Sequence, residues 1–473
     1  MRRVLICGAG EAGTMVLNEI LKHPEEGIRV LGFIDDDRTK RGCIIQDVQV
    51  LGGRKKLNEW IGKLNISEVI IAMPSISKTV IRDIVRTCRL EKVKLLIVPS
   101  TMEIIEGVVR FDQIKQLDLA DLLDRQEVVI NPEEVRRYFQ GKRVLVSGAA
   151  GSIGSEIVYE LLKYDPEAVL ALDISENGLF YLSNAIKKKS DTLFIPCVSD
   201  VKDRRILSEL CRTYHPDIVF HAAAYKHVPL MESQVRMIFL NNVMGTRNLL
   251  NASFQEGVEK FIGISTDKAV YPLSVMGKTK RICEMLVSVY STKGLRCCSV
   301  RFGNVLGSNG SVLTVFQEQI RRGGPLTITS PSMERYFMTV QEATSLVLQA
   351  ATTGDGGNIY VLDMGKPIKI KELAESVIVL SGLAPGADIQ IDYTGVRAGE
   401  KYSEELFYRD RAVYAGSFPG IFIEESNAPS ELFLRNLDSL TEDIYHLSVE
   451  DIKNAMDEII VCGSRVGEIV KNY

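Results

Sequence analysis

Two glycine-rich turns, each entered from a short apolar run and followed by a helical pattern, constrain this chain more than any other feature. Residues 4–7 (Val-Leu-Ile-Cys) lead into Gly8-Ala-Gly10-Glu-Ala-Gly13, and residues 144–146 lead into Ser147-Gly148-Ala-Ala-Gly151-Ser-Ile-Gly154. A further β-like run follows each helix, at residues 30–34 and 168–172. Strand, glycine turn, helix and strand in that order build a doubly wound parallel sheet, so the expected fold is α/β with two Rossmann-like domains. A length of 473 residues suits two or three domains. Residues 1–125 are expected to form the first, with later strands near 68–72 and 94–98. Residues 126–140 read as a linker with a short helix begun by Pro132. The second domain runs over 141–425, and 426–473 read as a helical tail with capping signals at Ser430 and Ser448.

Composition narrows the class. The chain is 45% hydrophobic and 25% charged with a formal charge of −4, a globular balance without the basic excess of a nucleic-acid binder. Nine cysteines are scattered singly apart from Cys297-Cys298, with no spacing suited to a metal, so reduced thiols in a cytoplasmic protein are expected. The apolar run after Met1-Arg2-Arg3 is cut by Gly8, Gly10 and Glu11, which fits a first strand and not a signal peptide. No stretch approaches the ~18 apolar residues of a membrane helix.

Glycine at the mouth of a helix lets the backbone approach a pyrophosphate, and the helix N-terminus offers free N–H groups. In the second turn, the spacing Gly148-x-x-Gly151-x-x-Gly154 is that of short-chain dehydrogenase/reductase enzymes, which places Ser152 and Ile153 in the cradle too. Asp173 ends the next strand, where a carboxylate accepts from adenosine ribose hydroxyls. Ile174 and not a basic residue follows it, so NAD is expected over NADP. Asp200 and Val201, after the third strand, suit the adenine edge. The first turn is followed at a plausible distance by Asp35-Asp36-Asp37, yet residues 38–125 hold no base or paired nucleophile. An accessory domain without a redox role is the expectation there.

The stretches His221-Ala-Ala-Ala-Tyr-Lys-His-Val-Pro-Leu-Met-Glu232 and Asn241-Asn-Val-Met-Gly-Thr-Arg-Asn248 are highly specific. With Ser265-Thr-Asp-Lys268, Arg301-Phe-Gly-Asn-Val-Leu-Gly-Ser308 and Arg335-Tyr-Phe-Met338, the chain resembles the UDP-N-acetylglucosamine 4,6-dehydratases of bacterial surface-polysaccharide and protein-glycan pathways, within the extended short-chain dehydrogenase/reductase superfamily. The resemblance covers the second domain nearly whole and implies a small substrate-binding subdomain, a UDP-sugar substrate, and Ala222, Ala223 and Lys280 among the cofactor-binding residues. It also implies a homo-oligomer, since the superfamily commonly pairs helices from two subunits. Larger members carry membrane helices before this point, and this sequence has none.

Short-chain dehydrogenases typically use Tyr-x-x-x-Lys on one helix, where the i, i+4 spacing stacks both groups on one face. Lys280 is present here, but the tyrosine position holds Met276, which transfers no proton. By resemblance, dehydratases use a threonine, an acid and a base in the segment Thr266-Asp267-Lys268. Lys268 is the expected C5 base, its pKa depressed by burial beside cations, and Asp267 the expected acid, with a raised pKa in an apolar pocket. Thr266 would bond the C4 oxygen. Arg335 and Arg397 are the candidates for the two phosphates, Glu400 for the uridine ribose, and Asn304 for the sugar or pyrophosphate. His221 reads as structural. The nearest rival is a nucleotide-sugar 4-epimerase of the same fold, which gives Asp267 and Lys268 no task; a non-catalytic nucleotide-sugar sensor is the other.

Overall fold

Apolar runs bounded by glycine, proline and polar residues become strands, and the glycine turns carry the chain into helices. The structure, a computed structural model, describes residues 2–73, 78–91, 93–98, 115–116, 130–186, 192–409, 411–426 and 428–464. The chain divides into two units. One comprises Met1–Glu127, Val315–Ile328 and Ile370–Tyr393, the other Val128–Thr314, Thr329–Lys369 and Thr394–Tyr473.

The first unit is built on a sheet of β1 (Arg2–Cys7), β2 (Ile28–Ile34), β3 (Ile44–Ile45), β4 (Val48–Gly52), β5 (Glu68–Ile71), β6 (Lys94–Ile97) and β7 (Lys115–Gln116), in the order β3-β4-β2-β1-β5-β6-β7. The pairs from β4 to β6 are parallel. Successive residues of β1 enter different apolar layers, Val4 and Ile6 one and Leu5 and Cys7 the other, as a strand buried on both faces requires. Gly8 has φ +110°, and helix α1 (Glu11–Lys22) starts at Gly10. Val379 and Leu380, from the helix Ile370–Leu380, pack on the second of those layers. The expected uninterrupted run 141–425 is therefore broken in packing: residues 315–328 and 370–393 join the first unit.

In the second unit, β8 (Arg143–Ser147), β9 (Ala168–Asp173), β10 (Leu193–Val198), β11 (Ile218–His221), β12 (Lys260–Thr266), β13 (Cys297–Phe302), β14 (Ile359–Leu362), β15 (Val413–Ala415) and β16 (Ile421–Glu424) form one sheet. Its order is β10-β9-β8-β11-β12-β13-β14-β16-β15. Pairing is parallel through β14 and antiparallel beyond it. The reversal of strand order between the neighbouring parallel strands β8 and β11 creates the crevice where ligands bind in such sheets. Leu145, Leu170 and Val219 enter one core layer, and Val144, Val169 and Phe220 the other. Helix α2 (Ser152–Leu161) follows the second glycine turn, and α3 (Val275–Thr292) is buried along nearly its whole length.

Helices α4 (Glu431–Asp443) and α5 (Val449–Gly463) close the described chain and bury Phe433, Leu437, Ile452 and Met456 in the same layer as α3. Ser448 opens α5 with a reciprocal capping box to Asp451. Ser430 stands at the N-cap of α4, but its hydroxyl donates to the Cys462 carbonyl instead of capping the helix. Among the described residues no helix is long and apolar enough to cross a membrane.

Candidate active site

The turn from β8 to α2 has no room for a side chain at Gly148 or Gly154. Gly148 has φ +71°, and a Cβ there would stand 2.6 Å from the Ala223 nitrogen; one on Gly154 would stand 2.0 Å from the Gly148 carbonyl oxygen. Gly151 is the N-cap of α2 and provides no side-chain cap, so the first N–H groups of the helix are left for a ligand. At the end of β9, Asp173 accepts from Ala150 N at 2.9 Å and Ser175 N at 2.8 Å, one bond to each oxygen. Each oxygen keeps a further lone pair for a hydroxyl. Asp200 accepts from the backbone of Lys202 at 2.9 Å, and Val201 is buried against Gly245. Ser152 Oγ accepts from Asn309 N at 2.9 Å. A bare helix N-terminus, an approach that excludes Cβ and a carboxylate at the next strand end together fit a dinucleotide.

His221 is buried between the Ser147 hydroxyl at 2.7 Å and the Thr246 hydroxyl at 2.9 Å. Burial, assisted by nearby Lys280, pushes it down to about 3, so the imidazole is neutral and ties β8 and β11 to the helix that starts at Gly245.

Beyond β12 lies a cleft of about 320 Å³, lined by Ile153, Ala222, Thr266, Lys268, Lys280 and Asn304 among others. Met276 lines it as well, one helical turn before Lys280. Lys280 Nζ donates to the Ile264 carbonyl. The segment 267–269 is a single 3₁₀ turn capped by Thr266. Gly277 lets α3 approach that turn, since a Cβ there would meet the Lys268 carbonyl at 2.3 Å.

Lys268 Nζ donates to Asp267 Oδ1 at 2.9 Å and to Asn304 Oδ1 at 3.1 Å; Thr266 Oγ1 donates to the same Asp267 oxygen at 2.9 Å. The cationic surroundings expected for Lys268 are not what it meets, because both groups within hydrogen-bond reach are acceptors. Asp267 is fully buried beneath the cleft and does not line it.

The expected phosphate contacts differ from one another. Arg335 is buried and spends three N–H bonds on backbone carbonyls, at 2.7 Å on Glu334, 3.1 Å on Tyr402 and 2.8 Å on Lys401. It braces the segment after residue 400, which corrects the expectation of a guanidinium open to a diphosphate. Arg397 is exposed and Glu400 half-buried, in a turn whose Gly399 has φ +78° and packs against Glu232 and Ser274. Neither residue lines the cleft, and neither do Asp173, Asp200 or Val201.

Sequence reasoning missed several groups. Tyr225, Lys226 and His227 line the cleft, on a loop held by Asn242, which accepts from Tyr225 N at 2.8 Å and donates to its carbonyl at 3.1 Å. Behind the turn 267–269, Glu284 accepts from the Ser265 hydroxyl at 2.7 Å and from Arg301 at 3.0 and 2.9 Å; Arg301 also donates to Glu424 at 2.9 Å. Tyr408 donates its hydroxyl to the Ala269 carbonyl at 2.8 Å, and Arg281, Arg301 and Arg411 surround its ring. The motif around Tyr225 was legible as a specific string, but its orientation was not.

Residues 144–426 match the polysaccharide biosynthesis protein family. The chain belongs to that family. Residues 1–99 match a CoA-binding domain. The probable polysaccharide biosynthesis protein EpsC of Bacillus subtilis is 40% identical over 424 residues, 89% of this chain and 71% of that protein. A UDP-N-acetylglucosamine 4,6-dehydratase (inverting) of Campylobacter jejuni is 34% identical over 278 residues, 58% of this chain and 79% of that one. A UDP-glucose 4-epimerase of Rickettsia akari is likewise 34% identical, over 295 residues, 60% of this chain and 83% of that one. Among solved structures, Pen from Bacillus thuringiensis is 31% identical with a TM-score of 0.56, covering 63% of this chain and 98% of that one. The family member described here is an enzyme with the extended short-chain dehydrogenase/reductase fold, of the nucleotide-sugar dehydratase/epimerase class.

Proposed function

We propose that this protein is an NAD-dependent UDP-N-acetylglucosamine 4,6-dehydratase that retains configuration at C5. The observation that carries the reading is Lys268 on the cleft, hydrogen-bonded to Asp267 buried directly behind it, with Met276 where a dehydrogenase places its tyrosine. An epimerase needs no acid and base for elimination, whereas a dehydratase needs both at adjoining carbons. On this reading residues 1–125 are an accessory Rossmann-like domain, and 141–425 carry the chemistry.

The turn 148–154 and Asp173 would hold an NAD, which when bound supplies the acceptor for hydride from C4 of the sugar and its donor to C6. Thr266 bonds the C4 oxygen, and the resulting ketone acidifies the C5 proton. In the resting pair Lys268 is an ammonium and Asp267 a carboxylate. Moving one proton along their 2.9 Å bond leaves a neutral amine and a carboxylic acid. Covering the cleft with substrate favours that neutral pair, because a desolvated ion pair loses its advantage. Lys268 then takes the C5 proton while Asp267 protonates the departing C6 hydroxyl, which leaves as water. When C6 is reduced, Lys268 returns its proton to C5 on the same face; the proton that the C4 hydroxyl lost on oxidation goes to solvent, and Lys268 regains one from solvent, so the resting pair is restored. Asn304 Oδ1 holds the Lys268 nitrogen on course at 3.1 Å. Arg397 and Glu400 take the diphosphate and the uridine ribose.

The reading differs from the inverting activity named for the Campylobacter relative, and the ground for the difference is Met276 of this chain. Inversion at C5 requires a proton delivered to the face opposite the base, and a methionine carries none. Tyr225, Lys226 and His227 do carry exchangeable protons on this cleft, so an inverted product would assign that task to one of them.

Incubation with UDP-N-acetylglucosamine, followed by mass spectrometry, tests the reading. A product lighter by one water is expected. An isomer of unchanged mass would instead identify an epimerase, and binding without turnover a sensor.

A further inference from the structure

A third buried acid stands beside the Asp267–Lys268 pair, and no motif marks it. Glu404 is 5% exposed and does not line the cleft. Among the described residues its Oε2 has no hydrogen-bond partner, and neither does Asp267 Oδ2. Its nearest cations, Arg335 Nε and Lys401 Nζ, are both 3.9 Å away, outside hydrogen-bond reach. Both cations are committed elsewhere: Arg335 to three carbonyls, Lys401 to the Val270 carbonyl and Glu405 at 2.8 Å each. Lys401 therefore stitches the segment holding Glu404 to the end of the catalytic turn, as Tyr408 does at Ala269.

A buried carboxylate would recruit such donors to within bonding distance; an oxygen left without one is the arrangement of an acid that keeps its proton. The groups facing Glu404 are Asp267 and Lys268 from the turn, Arg335, and Lys401 on its own segment. Burial pushes its carboxyl up and Asp267 adds to that, against Lys268, Arg335 and Lys401, with a net rise. Of these charges Lys268 acts on it most strongly, ahead of Asp267.

We propose that Glu404 is a positioning residue that works as a neutral acid, leaving Lys268 free to pass its proton to Asp267. An ionised Glu404 would add a second anion facing Lys268 and favour its ammonium form. The inference rests on the base and acid roles proposed above. No proton leaves Glu404 during the cycle.

Two measurements on the full-length protein test it. Infrared difference spectra in water and deuterated water read the C=O stretch of protonated carboxyls and require no turnover. A band present in the wild type at neutral pH and missing from Glu404→Gln is expected; identical spectra would overturn the proposal. Glutamine reproduces a neutral acid, so the effect of E404Q on dehydration of UDP-N-acetylglucosamine is read in the pH profile of kcat. Its alkaline limb of kcat should lie at higher pH, since the ionisation that traps Lys268 is gone. A folded E404Q with kcat down more than about a hundredfold, or an unmoved alkaline limb, would overturn it. Failure of the wild type to release water would count against the dehydratase reading alone, and the infrared result would still decide the state of Glu404.

Discussion

Replacing Glu284 with glutamine removes the charge on which Arg301 and Arg281 converge behind the turn 267–269. Burial alone pushes the Glu284 carboxyl up, but Arg301, Arg281 and the Ser265 hydroxyl overcome it and bring it from 4.5 down to about 2. The drop from 4.5 to about 2 corresponds to about 3 kcal/mol of folding stability. Breaking a buried pair by removing one partner costs about as much, 3–5 kcal/mol. Because the folded pKa lies below the unfolded one, this stability is complete above about 4.5 and lost as pH falls through about 2. Urea unfolding at a series of pH values should therefore show E284Q about 3 kcal/mol less stable at pH 7, with the gap closing between those limits. A gap independent of pH from 7 to 3, or one below about 1 kcal/mol, would refute the reasoning.

Lys268→Ala should bind NAD and the UDP-sugar yet release water at least ~100-fold more slowly, as loss of a general base implies; near wild-type turnover would transfer the role to Lys280. Asp173→Ala should weaken NAD by about 1–2 kcal/mol through lost bonds to a charged group, and the wild type should prefer NAD to NADP in calorimetric titration. Reaction in deuterated water, with the product identified by NMR, should give the 4-keto-6-deoxy sugar in the D-xylo configuration with deuterium at C5. A dominant L-arabino product would show that a group other than Met276 protonates the far face.

Features written in one local stretch were legible. The glycine turns, the strand ends at Cys7 and Asp173 and the proline start at Pro132 each follow from backbone requirements that adjacent residues declare. Thr266, Lys268, Lys280 and Asn304 do converge on one cleft. What stayed hidden depends on pairs far apart in the chain. Arg301 reaches Glu424 across 123 positions and Lys401 reaches Val270 across 131, and neither end carries a local signature. Arg335 looked like a phosphate ligand because an arginine near a substrate motif is read by charge, while its actual partners are backbone carbonyls. The association of residues 370–393 with the first unit escaped notice because an amphipathic helix declares that it has a partner, not which one.

The central claim is that hydrogen removed from C4 reappears at C6 after water has left. UDP-N-acetylglucosamine carrying deuterium at C4, converted in ordinary water by the wild-type protein, reports on that transfer by mass spectrometry and NMR together. The predicted product is lighter by one water and carries the label in its C6 methyl group. A product of unchanged mass with the label still at C4 would contradict it.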